Sequence, residues 1–123
     1  MPPAITVLIA DDHRLFAEAL EAILSGEPDI EVVGRARNGE EAVAQALELK
    51  PDVILMDIAM PVVDGVEATK RIRAKQQRAC VLMLTGSNSR TDVARAREAG
   101  AAAYLTKDRI AAQLIEAIRE LAA

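Results

Sequence analysis

The sequence predicts a single α/β domain: a doubly wound, five-stranded parallel sheet with helices on both faces. Three observations lead there. Five compact apolar runs alternate along the chain with five stretches of helical periodicity. This alternation implies right-handed crossovers and parallel pairing, with strands buried on both sides. The length of 123 residues suffices for one continuous core and is too short for two. No repeat, linker or low-complexity tract interrupts the pattern, so residues 1–123 read as one domain.

Ile5 to Ala10 (ITVLIA) has the length and β-branching of a buried strand. Leu15, Phe16, Ala19, Leu20, Ile23 and Leu24 then recur at helical spacing up to Gly26. Glu31 to Ala36 is a second, weaker strand. Asn38 is placed to cap the next helix, whose stripe is Ala42, Val43, Ala46 and Leu47 and whose end Pro51 marks. Asp52 to Met56 is the third strand. After the loop IAMPVVD, Gly65 opens a helix through Val66, Thr69 and Ile72, and Ala79 to Leu84 forms the fourth strand. Gly86, Ser87, Asn88 and Ser89 lead into a helix from Thr91 to Ala99. Val93 is its only large apolar residue and Gly100 stops it, so weak anchoring is expected. Ala101 to Leu105 is the fifth strand, and Ile110, Leu114, Ile118 and Leu121 stripe the last helix.

Composition excludes several functions. Hydrophobic residues make up 51% and charged residues 28%, as in globular proteins, and no stretch approaches the ~20 consecutive apolar residues of a membrane span. The N-terminus lacks the charged segment and apolar core of an export signal, so the chain reads as cytoplasmic. A net charge of −4 argues against a nucleic-acid surface, which runs on clustered Lys and Arg. If DNA is involved, another domain touches it. The single cysteine, Cys80, opens an apolar strand and reads as a small core residue rather than a reactive thiol.

Reactive polar residues end the apolar runs: Asp11 and Asp12 after VLIA, Asp57 after VILM, Thr85 after VLML, and Lys107 after AAAYLT. In a parallel sheet these gather at the C-terminal edge, where open α/β sheets bind ligands. Each ionised carboxylate pair at ~5 Å repels by roughly 3 kcal/mol at an effective dielectric of about 20. Lys107 offsets one of three negative charges, and a divalent cation cancels the remaining two. Oxygen-only ligands favour Mg²⁺ or Mn²⁺. Asp57 is the candidate nucleophile toward phosphorus, with Thr85, Lys107 and loop amides near Ala59 and Gly86 as donors to the equatorial oxygens. A glycine at position 86 is expected to permit close backbone approach. Singly, Asp12 reads equally as a helix cap, Thr85 as a turn cap and Lys107 as a solvated charge. Their co-occurrence at strand ends favours the site. His13 reads as support for the first helical turn rather than as a base, and Tyr104 is open between core packing and a switching role.

The stretches ADDH, LMDIAMPVVDG, LTG and YLTK, in that order and spacing, resemble the receiver domain of bacterial two-component response regulators from Ile5 to about Leu121. The resemblance implies a flavodoxin-like (βα)5 fold with strand order 2-1-3-4-5. It implies that Asp57 is the phosphoacceptor, and that Asp12 and Asp57 ligate Mg²⁺ directly, Asp11 through water and Ala59 through its carbonyl. Thr85 and Tyr104 become the switch pair, and Lys107 contacts the phosphoryl group. The donor is a sensor histidine kinase. The DDHRLFAEALEAIL start and the Lys107-Asp108 pair resemble the NarL/FixJ subfamily, whose members carry a LuxR-type helix-turn-helix domain that binds DNA. That output domain is absent from this chain, which is read as the receiver part of a longer regulator, with a stand-alone receiver acting by protein-protein contact as the alternative. Subfamily members often pair as homodimers on phosphorylation. Gly86, where Ala is usual, and Ala103, where Gly often precedes the aromatic, depart from the pattern. Ala59 and Ser87 occupy the variable positions two after Asp57 and Thr85.

Two other classes compete. A phosphohydrolase of the haloacid-dehalogenase type needs a second acid two residues after its nucleophile, where this chain has Ala59, and a cap segment that is lacking. A phosphorylation-independent docking domain has no use for an intact acidic site.

Overall fold

The computed structural model of the protein describes residues 3–86 and 90–123. Strands β1 (Ile5–Ala10), β2 (Ile30–Ala36), β3 (Val53–Asp57), β4 (Val81–Thr85) and β5 (Ala103–Thr106) form one parallel sheet in the order β2-β1-β3-β4-β5. Helices α1 (Arg14–Ser25), α2 (Gly39–Leu49), α3 (Gly65–Lys75), α4 (Arg90–Ala99) and α5 (Ile110–Ala122) alternate with them, and a 3₁₀ turn, Lys107–Arg109, leads into α5. The predicted class and the strand order are both observed.

The two-residue period of the strands divides the core. Leu8, Ala10, Ile54, Met56, Val81 and Met83 pack beneath α2, α3 and α4, largely on alanines such as Ala42, Ala46, Ala68, Ala96 and Ala99. Val7, Ile9, Val53, Leu55, Leu82 and Leu84 face α1 and α5 through Leu20, Leu24, Leu114 and Ile118. With both faces covered, the central strands are apolar throughout rather than alternating.

Several element boundaries differ from the sequence expectation, each for a local reason. Asp52 stands outside β3 because its carboxylate accepts from Thr6 N at 2.8 Å and Thr6 Oγ1 at 3.2 Å, while its own amide donates to Thr6 Oγ1 at 2.9 Å. Ala79 belongs to a turn, its amide donating to Gln76 O, so β4 starts at Val81. Ala101 caps α4: its amide donates to Ala96 O at 3.0 Å while Gly100 takes φ +99°, a Schellman-type ending that delays β5 to Ala103. In α1 the apolar stripe is narrower than predicted. Leu15 is 80% exposed and Ala19 is also exposed, while Ala17 takes the inward position. Cys80 is half-buried rather than a full core residue, and burial pushes its thiol pKa up, as expected of an unreactive side chain. Asn38 caps α2 as predicted, accepting from Glu41 N at 2.8 Å. Ser87, Asn88 and Ser89 lie outside the described residues. The helix they precede buries only Ala96 and Ala99.

Candidate functional site

Strand register assembles the site. Chain direction across the sheet reverses at β1, which has β2 on one side and β3 on the other, the switch point at which open α/β sheets form a crevice. Ala10 pairs with Met56, so Asp11 and Asp57 leave adjacent strands side by side. Asp57 pairs with Leu84, which puts Thr85 one residue beyond it, and Thr85 pairs with Thr106, which brings Lys107 to the same edge. Asp11, Asp57 and Thr85 are all buried.

Lys107 Nζ stands 3.5 Å from both Asp11 Oδ2 and Asp57 Oδ1, and 4.4 Å over the Phe16 ring, which holds the ammonium from its other side. Asp57 Oδ1 also accepts from the Ala59 amide at 3.4 Å. Its other oxygen, Oδ2, is buried with no hydrogen-bond partner among the described residues. Burial pushes the Asp57 carboxyl above the usual carboxylate range and the Asp11 charge adds to this, with a smaller push from Asp12; Lys107 and the Ala59 amide act against it. A buried carboxylate oxygen without a partner is costly unless something else engages it. One ligand atom each from Asp11, Asp12, His13 and Asp57 falls within 4.8 Å of the others, so the donor set and its net charge fit a divalent cation.

Five of the predicted residues therefore converge: Asp11, Asp12 and Asp57 with Lys107 beside them, and Ala59 through its amide. Asp12 is not a helix cap. His13 occupies the N-cap of α1, and the Asp11 carboxylate accepts from the His13 amide at 2.8 Å. Tyr104 is 41% exposed, which overturns core packing as its role; it flanks a cleft between α4 and β5 lined by Val93, Ala96, Arg97 and Ala101. At Gly86 a Cβ would meet nothing within 4 Å among the described residues. His13 was missed as a member of the cluster, although its signal was visible: it directly follows two strand-end acids.

Residues 7–119 match the response regulator receiver domain family. The chain is a response regulator receiver domain. This receiver is 45% identical over 115 residues to the transcriptional regulatory protein LiaR of Bacillus subtilis, an alignment spanning 94% of this chain and 54% of that protein. It is 44% identical over 116 residues to the response regulator protein VraR of Staphylococcus aureus, spanning 94% of this chain and 56% of VraR. The receiver thus spans about half the length of the curated relatives it matches. Among solved structures it resembles the signal receiver domain of the response regulator NarL from Mycobacterium tuberculosis, with a TM-score of 0.94 at 31% identity over 98% of each chain. It also resembles the response regulator domain of Thermotoga maritima CheB, with a TM-score of 0.91 at 37% identity over 97% of this chain and 96% of that one. The receiver therefore belongs to a signalling family with NarL-like members, and no helix among its described residues is long and apolar enough to cross a membrane.

Proposed function

We propose that this receiver accepts a phosphoryl group on Asp57 from the phosphohistidine of a sensor histidine kinase and changes conformation to control an output. The supporting observation is the state of Asp57: one oxygen buried with no hydrogen-bond partner among the described residues, the other 3.5 Å from Lys107. In the reaction an Asp57 oxygen bonds to phosphorus as the phosphorus–nitrogen bond of the donor breaks, and the kinase imidazole leaves. Lys107 and Thr85 donate to the phosphoryl oxygens, and the Ala59 amide, already aimed at Asp57, joins them. Asp12 and Asp57 would hold Mg²⁺, or Mn²⁺, with Asp11 acting through water and the Ala59 carbonyl as a further ligand, and a divalent cation held there would supply charge neutralisation for the transferring group. The domain catalyses only its own phosphotransfer and dephosphorylation.

Thr85 and Tyr104 form the switch: Thr85 moves toward the phosphoryl oxygens, and Tyr104 turns inward from its exposed position toward the α4–β5 cleft. Because relatives about twice as long include a transcriptional regulatory protein, and one structural relative at 26% identity is a DNA-binding response regulator of the LuxR family, the output is read as transcription through a C-terminal helix-turn-helix domain beyond residue 123. A cytoplasmic location and phosphorylation-dependent homodimers belong to the same reading. Intact-mass measurement with acetyl phosphate and Mg²⁺ tests it. One addition is expected, lost in Asp57→Asn. Continuous turnover of p-nitrophenyl phosphate without labelling contradicts it and indicates a phosphohydrolase.

A further inference from the structure

The imidazole of His13 stands among the carboxylates at ligand spacing. Its Nδ1 lies 3.2 Å from Asp11 Oδ1, 3.3 Å from Asp12 Oδ1 and 3.8 Å from Asp57 Oδ2. Two ligand atoms on one octahedral ion, at bonds of about 2.1 Å, stand about 3.0 Å apart when adjacent and about 4.2 Å apart when opposite. The separations from Asp12 and Asp57, the two direct ligands, fall inside that range, whereas the contact with Asp11 Oδ1 is a hydrogen bond that the ring gives up when Nδ1 turns to an ion. The buried Asp57 Oδ2, without a hydrogen-bond partner among the described residues, points to a ligand in the same place. The ring has no duty to the helix it precedes, because His13 is the N-cap of α1 and makes no side-chain capping bond. Its backbone is nonetheless fixed to the pocket, because the His13 N–H donates a hydrogen bond to Asp11 Oδ1. With its side chain 65% exposed, the ring sits at the mouth, where it reaches an ion arriving from solvent without any movement of the sheet.

We propose that His13, through Nδ1, is a fourth ligand of the divalent-cation site and tilts it toward imidazole-accepting first-row ions such as Co²⁺ and Ni²⁺ relative to Mg²⁺. The inference rests on reading Asp11, Asp12 and Asp57 as a cation site. Mg²⁺ is hard and keeps oxygen ligands and waters, whereas imidazole suits the later first-row ions. Replacing one oxygen donor by nitrogen therefore changes the ranking of ions and not merely the overall affinity.

His13 is the only histidine of the chain, so any imidazole-nitrogen signal from tag-free protein is assigned without ambiguity. Pulsed electron paramagnetic resonance of the Mn²⁺-loaded protein is expected to show imidazole-nitrogen coupling that disappears in His13→Ala. In competition titrations His13→Ala should lower Co²⁺ affinity at least tenfold and Mg²⁺ affinity less than twofold; His13→Gln, which keeps an oxygen donor, should give the same divergence and serves if the alanine variant fails to fold. Absence of nitrogen coupling in the wild type overturns the proposal, as does equal loss of both ions. Tighter binding of both ions by His13→Ala overturns it as well, since the ring would then only compete with the metal. Asp12→Ala separates the two levels: loss of all ions upholds the cation site, so that a failure in the histidine variants counts against His13 alone, whereas undiminished binding of all ions overturns the site and the proposal together.

Discussion

Asp57 is ionised at a cost to the fold. Burial first, and the Asp11 charge second, raise its pKa above the ordinary 3.8, so between 3.8 and the raised value the folded chain binds more protons than the unfolded one. Stability from this group is then present at low pH and lost as pH rises through that window. Asp57→Asn removes the loss. In chelator at pH 7 it should unfold at higher denaturant than the wild type, and the advantage should vanish below pH 3.8. Lys107→Met should separate metal binding from phosphotransfer. Loss of the ammonium 3.5 Å from two carboxylates leaves the pocket one charge more negative, so Mg²⁺ should bind about tenfold tighter or more in calorimetry while phosphoryl acceptance falls. Asp11, Asp57 and Lys107 were legible in the sequence because each ends an apolar run, and a run that stops on a charge marks a strand leaving the core. The place of His13 behind two strand-end acids was visible, but the direction of its ring and of Tyr104 was not, since the direction of a side chain at a helix start or on a short edge strand is decided by tertiary neighbours.

At the scale of elements, the loop from β3 to α3 holds Asp57 in place. The Val63 amide donates to Pro61 O at 2.8 Å across Val62, whose φ of +69° makes a γ-turn that β-branched residues rarely adopt. Val62 is 75% exposed, so Val62→Gly loses little packing and should stabilise the protein by about 0.5–1 kcal/mol in denaturant melts. Gly65→Ala should do the opposite. Its Cβ would stand 2.2 Å from the Asp57 carbonyl oxygen, a backbone atom that cannot yield without shifting the phosphoacceptor, and a loss of about 2–4 kcal/mol is expected. The sequence showed Gly65 as a helix opener but not this contact, which exists only once strand and helix are packed. The shallow anchoring of α4 was legible, because a helix with alanine where α1, α3 and α5 bury Leu or Ile has little to bury. Its amides should exchange at least about tenfold faster than those of α5, which buries Ile110, Leu114 and Ile118, in hydrogen-exchange mass spectrometry.

Across the whole molecule, the site stands on buried strands, while α4 is the helix that buries least. β3 and β4 carry Asp57 and Thr85 from a fully buried core, and α4, which buries only Ala96 and Ala99, is the helix with least to lose by moving. A shift from 1:99 to 99:1 needs about 5.5 kcal/mol of differential interaction, which charge-assisted contacts from Lys107, Thr85 and a metal to one phosphoryl group are of a size to supply. Everything in that coupling depends on where the phosphoryl group lands. The direct measurement uses phosphoramidate, a small donor with the phosphorus–nitrogen bond of phosphohistidine, followed by borohydride reduction of the acyl phosphate and peptide sequencing by tandem mass spectrometry. Reduction at position 57 alone, and only when a divalent cation was present during labelling, is the expected result; reduction at position 11 or 12, or labelling of Asp57 undiminished by chelator, contradicts it.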